Sequence, residues 1–300
     1  MSRLAFTQVD VFTARPFLGN PVAVVHGGAE LSTGQMQEFT RWTNLSECTF
    51  LLPPTTAGRA AGAHYRLRIF DPTRELPFAG HPTLGTCHAW LEAEKSAGRS
   101  APEIVVQECG AGLIRIRRDG ARLAFAAPPR LRSGPLDEAE VALIARGLGV
   151  ARSDILDHAW CDNGPQWRGI LLGSAEQVLN LRPDATLLAG MDIGVVGPHA
   201  AAPGIPAMVE QPRFEVRAFF PGNHGLTEDP VTGSLNAALG QWLIGSGQAP
   251  QRYVAAQGTA LGRAGRVHVE QSGADLWIGG DCITCISGEV RFDITTASRG

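Results

Sequence analysis

Tyr65-Arg66-Leu67-Arg68-Ile69-Phe70-Asp71-Pro72 and Phe214-Glu215-Val216-Arg217-Ala218-Phe219-Phe220-Pro221 are two versions of one pattern. Set 65 against 214, the Arg, Phe and Pro coincide, and nearly every other position keeps its type. Each version alternates like a strand and stops at a proline, which cannot continue a hydrogen-bond ladder. The likeness continues downstream. Glu75-Leu76-Pro77-Phe78-Ala79-Gly80-His81-Pro82-Thr83-Leu84 aligns with Glu228-Asp229-Pro230-Val231-Thr232-Gly233-Ser234-Leu235-Asn236-Ala237, sharing Glu, Pro and Gly at 75/228, 77/230 and 80/233. Both copies then turn helical, over Thr83 to Lys95 and Leu235 to Ile244. Leu84, Cys87, Trp90 and Leu91 fit one face of a 3.6-residue period, as do Leu235, Ala238, Leu239 and Trp242. Val105 to Gly110 leading into Leu113 to Ile116 has its counterpart in Val254 to Gly258 leading into Arg266 to Val269. A unit of strand, glycine-containing loop, helix and further strands, present twice in the same order, predicts two similar lobes.

The rest of the chain fits around this frame. Phe6 to Phe12 and Pro21 to Val25 read as strands. Ser32 with Gln35 forms a capping box for a helix running towards Thr43. Ala127 to Pro135 is the best linker, dividing an N-terminal lobe over 1–127 from a C-terminal lobe over 136–283. Leu136 to Gly147 reads as a helix with Asp137, Glu138 and Glu140 at its start. Trp167 to Leu172 reads as a strand. Ser174 to Leu181 and Asp184 to Gly190 read as short helices separated by Pro183.

Composition narrows the class of function. At 300 residues, 44% hydrophobic and 18% charged, with 36 Gly and 20 Pro, the chain is neither disordered, collagen-like nor a long coiled coil. Lys and Arg number 26 against 29 Asp and Glu, a net charge of −3 with no basic stripe, so nucleic acid is not expected as a partner. The longest aliphatic run, Pro21 to Val25, is far short of the ~20 residues that span a membrane. The N-terminus runs straight into a strand pattern with no apolar leader, which predicts a cytoplasmic protein. Six cysteines are too few for a disulfide framework. Cys282-Ile283-Thr284-Cys285 has only His268 and Asp281 close in sequence, so these cysteines read as strand residues and no metal is expected.

The two loop–helix junctions are where chemistry is expected. Gly80-His81 and Gly233-Ser234 each open a helix, whose first N–H groups lack intrahelical acceptors and whose dipole leaves that end partly positive. Facing starts of this kind would make a paired site for a carboxylate. Asp229 precedes the second helix while its repeat partner is Leu76, so the acid is not needed to build a lobe. Glu75 and Glu228 occur in both copies and read as structural acids accepting loop N–H groups. Glu47, in Asn44-Leu45-Ser46-Glu47-Cys48, has no cationic partner at strand spacing and on its own reads as a solvated carboxylate at a strand entrance.

Taken together, Asn44 to Glu47, Pro77 to Thr86 and Glu228 to Ser234 resemble three signatures of the phenazine-biosynthesis PhzF-like (PhzC/PhzF) proteins. Val9 to Phe12 with Gly19 to Val25 is similar too, and the matches run in the family's order from about residue 6 to residue 290. The resemblance implies an α/β (α+β) diaminopimelate-epimerase-like fold: two pseudo-symmetric lobes, each a curved sheet around a central helix, with the active site in the cleft between them. It also implies that roughly 284–300 returns to the N-terminal lobe, and that the protein is a homodimer. By the same resemblance Glu47 moves a proton between carbons of the substrate, with His81 and Asp229 assisting. Ser234 and the groups at Gly80, Gly233 and Thr232 hold the substrate. Where the epimerase branch places two catalytic cysteines, this chain has Ala79 and Thr232, so two-thiol racemisation is not expected. Cys48, beside Glu47, reads as structural.

The leading expectation is therefore a cofactor-independent isomerase of a small carboxylate, working through a carboxyl whose pKa burial tunes towards neutrality. A protein on the same fold that binds a small carboxylate without turning it over is the alternative. A serine hydrolase is disfavoured because Ser234 stands in Thr-Gly-Ser-Leu-Asn and not in GxSxG.

Overall fold

The computed structural model describes residues 2–200, 211–222 and 225–293. The chain forms two compact units, one from Met1–Phe125 together with the stretch beginning at Gly280, the other from Ala126–Gly279. Of the expected return segment 284–300, residues 294–300 lie outside the described residues.

The first unit runs β1 (Ser2–Val11), β2 (Asn20–His26), α1 (Thr33–Thr43), β3 (Cys48–Leu52), α2 (Thr56–Ala60), β4 (Tyr65–Phe70), β5 (Glu75–Leu76), α3 (Gly80–Ser96), β6 (Ile104–Cys109), β7 (Gly112–Asp119) and β8 (Arg122–Ala126). The second runs α4 (Glu138–Leu148), β9 (Ile155–Asp162), β10 (Gln166–Leu172), α5 (Ala175–Asn180), β11 (Ile193–Pro198), β12 (Pro212–Gly222), β13 (Gly225–Asp229), α6 (Gly233–Gly245), β14 (Arg252–Gln257), β15 (Gly265–Ser272) and β16 (Asp275–Gly280). The final strand, β17 (Cys282–Phe292), pairs antiparallel with β1 in the first unit.

Strand pairing shows the duplication better than sequence does. In the first unit β1 and β2 are antiparallel, β2 and β3 parallel, β3 and β4 antiparallel. Then β4 pairs antiparallel with β5 and parallel with β6, and β6, β7 and β8 form a meander. The second unit repeats each step: β9 and β10 antiparallel, β10 and β11 parallel, β11 and β12 antiparallel. There β12 pairs antiparallel with β13 and parallel with β14, and β14, β15 and β16 form the meander. The parallel steps are crossovers, α1 and α3 in one copy and α5 and α6 in the other.

Side-chain packing repeats as well. Arg68 and Glu75 form a two-pronged ion pair at 2.7 and 2.6 Å, and Arg217 and Glu228 do the same at 2.9 and 2.7 Å. The guanidinium of Arg68 lies 5.0 Å from the Phe70 ring centre, and that of Arg217 lies 4.9 Å from Phe219. Glu75 and Glu228 therefore do build the lobes, but by pairing with strand arginines and not by accepting loop N–H groups.

Each unit has its own core. Met36, Phe39, Phe50, Phe70 and Phe292 fill the first, while Val141, Ile144, Leu148, Trp160, Ile170 and Phe219 fill the second. The central helices are more enclosed than a one-faced apolar pattern predicts. Every residue of α3 from Gly80 to Cys87 is buried, and the helix packs against β1, β2, β3, β4 and β17. Close approach depends on glycine. A Cβ at Gly85 would stand 2.4 Å from Val22 Cγ1, and one at Gly194 of β11 would stand 2.2 Å from Leu235 Cδ1 of α6. Polar groups inside the wrapping are satisfied locally, as where Thr86 of α3 donates to Thr49 of β3 at 2.9 Å.

Two expectations change in the second unit. The proline-rich stretch 127–135 is not a free linker: Ala127 N donates to Leu276 O at 2.8 Å and Leu131 N to Asp162 O at 2.7 Å. Residues 185–190 are turns and not a helix. Asp184 Oδ1 accepts from Thr186 N and Leu187 N, starting one turn that Gly190, at φ +77°, closes. No helix among the described residues is long and apolar enough to cross a membrane.

Candidate active site

Helix starts separate the structural junctions from the candidate ones. Among the described α-helices, α1, α2, α4 and α5 are capped by the side chains of Ser32, Thr55, Asp137 and Ser174. The two central helices are not: neither Ala79 at the start of α3 nor Thr232 at the start of α6 makes a side-chain cap bond. Their first turns keep backbone donors and partial positive charge that a ligand carboxylate would complement.

In the first unit Glu47 and His81 come together. Glu47 ends the segment entering β3 and His81 lies in the first turn of α3, so the parallel pairing of β2 and β3 and the burial of α3 set their separation. His81 Nε2 lies 3.6 Å from Glu47 Oε2. Glu47 Oε2 is buried and makes no hydrogen bond among the described residues, although the side chain as a whole is 18% exposed. The reading of Glu47 as a solvated carboxylate is thus overturned. Burial pushes its carboxyl up from 4.5 to about 7, helped by the negative charge of Asp71 and opposed by a hydrogen bond from Ser46.

This shift has a measurable consequence for stability. Between 4.5 and about 7 the folded chain holds a proton that the unfolded chain has released, so this group lowers stability as pH rises through that window. Glu47→Gln fixes a neutral side chain. It is expected to match the native protein at pH 4 and to exceed it at pH 8 by up to about 3 kcal/mol. Urea unfolding at the two pH values checks this, and equal gaps at both would contradict a buried carboxyl.

In the second unit Asp229, Thr232, Gly233 and Ser234 are gathered at the start of α6. Asp229, at the end of β13, is 8% exposed, and its Oδ2 accepts from Thr232 Oγ1 at 2.5 Å. Thr232 Oγ1 also accepts from Gln257 Nε2 at 2.9 Å. Ser234 is half-buried, with Trp167 Nε1 donating to its Oγ at 3.3 Å and Asn163 Nδ2 donating to its carbonyl at 2.9 Å. Its hydroxyl hydrogen is therefore left for another acceptor.

Sequence reasoning passed over the buried glutamines. Gln107 and Gln257 are both 0% exposed. Gln107 donates to Thr83 at 3.0 Å and accepts from Tyr65 at 3.1 Å, while Gln257 accepts from Asn236 at 2.8 Å. Thr83 and Asn236 are repeat partners, so each glutamine ties a strand end to the first turn of its central helix. The signal was a glutamine at matching positions near the ends of two duplicated strands.

The thiols are inert by environment. Burial raises Cys48 to about 11, and Cys87 and Cys161 to about 12. Cys48 contacts Thr43 Oγ1 at 3.2 Å inside the first core, a structural position. All six cysteines are free, and among the described residues no three His, Cys, Asp or Glu side chains gather as metal ligands would.

Two lobes of matching topology, each threaded by a central helix, give the chain a diaminopimelate-epimerase-like fold. The family model described as phenazine biosynthesis-like protein, PhzC-PhzF, matches residues 9–288, and the chain belongs to that family. It is 33% identical to the trans-2,3-dihydro-3-hydroxyanthranilate isomerase of Pseudomonas aeruginosa, over 90% of this chain and 91% of that one. It is 35% identical to antisense-enhancing sequence 1 of Schizosaccharomyces pombe, over 96% and 99%. A solved PhzF-family protein of Bacillus anthracis superposes with a TM-score of 0.77 at 19% identity, over 97% of this chain and all of that one. The protein is an isomerase of this family.

Proposed function

We propose that the enzyme moves a proton between two carbons of a small carboxylate-bearing substrate, with Glu47 taking the proton and returning it. The C–H bond breaks, its electron pair shifts into a conjugated double bond, and the proton is delivered to a second carbon, so nothing is oxidised or reduced. His81 stands beside Glu47 to hold or relay charge, and Asp229 assists the delivery of the proton to the second carbon. Ser234 and the backbone donors at Gly80 and Gly233 take the substrate carboxylate. One observation carries the reading: a buried carboxyl oxygen with no hydrogen bond among the described residues, 3.6 Å from an imidazole, with a pKa lifted to about 7. A general base works best when its pKa lies near the working pH, and an ordinary surface glutamate is too weak.

The compound named in the Pseudomonas relative, trans-2,3-dihydro-3-hydroxyanthranilate, is the probe of choice. Incubated with the enzyme in deuterium oxide, it should isomerise and gain solvent deuterium at a ring carbon, read by NMR and mass spectrometry. Neither turnover nor exchange, with this probe and with a panel of cyclic and amino-acid carboxylates, would sink the proposal.

A further inference from the structure

We propose that Asp71 is a positioning residue that acts through Glu47: a carboxylate clamped opposite the base, one step beyond the last pair of β3 and β4, whose charge sets the pH range in which Glu47 works. The catalytic part rests on the reading of Glu47 given above, while the facing of the two acids stands on strand register.

Cys48 of β3 pairs antiparallel with Phe70 of β4, so the next step outward from the ladder sets Glu47 opposite Asp71. Residues opposite each other on antiparallel strands hold their Cβ atoms about 4.5–5.5 Å apart, and like charges there repel. The pleat settles the side. Cys48 and Phe70 lie in the first core, whereas Thr49, paired with Ile69, meets Thr86 of α3. Alternation therefore carries Glu47 and Asp71 to the face of α3, where His81 meets Glu47.

Asp71 is fixed there by its own turn. Its Oδ1 accepts from Thr73 N and Thr73 Oγ1, both at 2.6 Å, and from Arg74 N at 2.8 Å. Its backbone N donates to Arg74 O at 3.0 Å, and Gln37 Nε2 of α1 donates to its carbonyl at 2.6 Å. Arg74 Nε reaches the other carboxylate oxygen at only 3.8 Å from a side chain that is 72% exposed, so it neutralises little of the charge. The groups acting on Glu47 are then Asp71 from the end of β4, His81 from α3, the Ser46 hydroxyl, and Cys48, a neutral thiol raised to about 11. Of these, Asp71 is the one whose negative charge opposes ionisation of Glu47, adding to the effect of burial.

The duplicated lobe acts as an internal control. There Ile193 of β11 pairs with Phe219 of β12, so the same step sets Asp192 opposite Phe220. An acid before the strand recurs, but the position facing it is aromatic. The facing carboxylate is thus no part of the shared plan, and it is found in the lobe where Glu47 meets His81.

Asp71→Asn keeps an oxygen for the three turn donors and removes the charge. In the full chain labelled with ¹³C-glutamate, the Glu47 carboxyl resonance, assigned through Glu47→Gln, is followed against pH. Its midpoint should fall by about 1 pH unit in Asp71→Asn. In the deuterium-exchange assay the rising limb should move down with it. Exchange at pH 5 should increase about threefold, because more of the base is ionised, and above pH 8 it should fall about threefold, because a less basic carboxylate abstracts more slowly. Structural damage alone would lower exchange at both pH values. An unmoved Glu47 midpoint in a folded Asp71→Asn protein overturns the inference and leaves Glu47 as the base. A moved midpoint with an unchanged pH profile of exchange overturns the catalytic part of the inference together with the assignment of Glu47.

Discussion

Glu47→Gln is expected to lower solvent-deuterium exchange and net isomerisation by about 10²–10⁴-fold, the range that a positioned general base supplies. The substitution keeps the shape and the capacity to accept a hydrogen bond, and removes only the lone pair that could take a proton. KM should therefore change little, and the loss should fall on kcat. The native enzyme should gain activity as pH rises through about 7, because Glu47 must be ionised to begin the cycle. That limb should vanish from the residual activity of the glutamine variant. Glu47→Asp adds a geometric test. It keeps the acid but withdraws it by one methylene, and a displacement of that order costs about 10²-fold when reacting atoms must meet within ~3–3.5 Å. Exchange at native rates in Glu47→Gln would remove this carboxyl from the proton path. Equal activity in Glu47→Asp would mean that its position beside His81 is unimportant.

How much of this was legible in the sequence differs from residue to residue, for physical reasons. The two-lobed plan could be read because its markers are chemically distinctive: an arginine and a phenylalanine on one strand, a proline that ends it, a glutamate that returns to the arginine. Alternation and the capping box of Ser32 and Gln35 were enough to place β1, β2 and α1. The enclosure of α3 was not legible, because Thr83 and Thr86 look like surface residues until a glutamine and a second threonine satisfy them. The environment of Glu47 was hidden for a related cause. Its neighbour His81 is remote in sequence, and only the folding of β3 against the sheet that wraps α3 sets the two 3.6 Å apart. The helix expected over 184–190 failed because aspartate and glycine at its ends favour a single closed turn over propagation.

The duplicated Arg–Glu pair yields a prediction about burial, since the paired groups and the neighbouring phenylalanine ring are the same in both lobes. Arg217 and Glu228 are 7% and 11% exposed, whereas Arg68 and Glu75 are 18% and 40% exposed. Arg217→Met is expected to cost about 3–5 kcal/mol, because it strands a carboxylate that is almost out of water. It also releases the carbonyls of Val178 and Leu181, which Arg217 Nη1 holds at 3.2 and 3.0 Å at the C-terminal end of α5. Arg68→Met should cost no more than about 1 kcal/mol, since water reaches Glu75 and can replace the guanidinium. Urea unfolding of both variants reads the difference directly. Adding Glu228→Gln to Arg217→Met should recover part of the loss, because the stranded charge goes with it. Similar costs in the two lobes would mean that exposure does not govern the pair. The larger cost falls next to a residue of the proposed mechanism: Glu228 pairs in register with Phe219 and the following residue is Asp229, so the buried copy of the bridge fixes the end of β13 that carries Asp229.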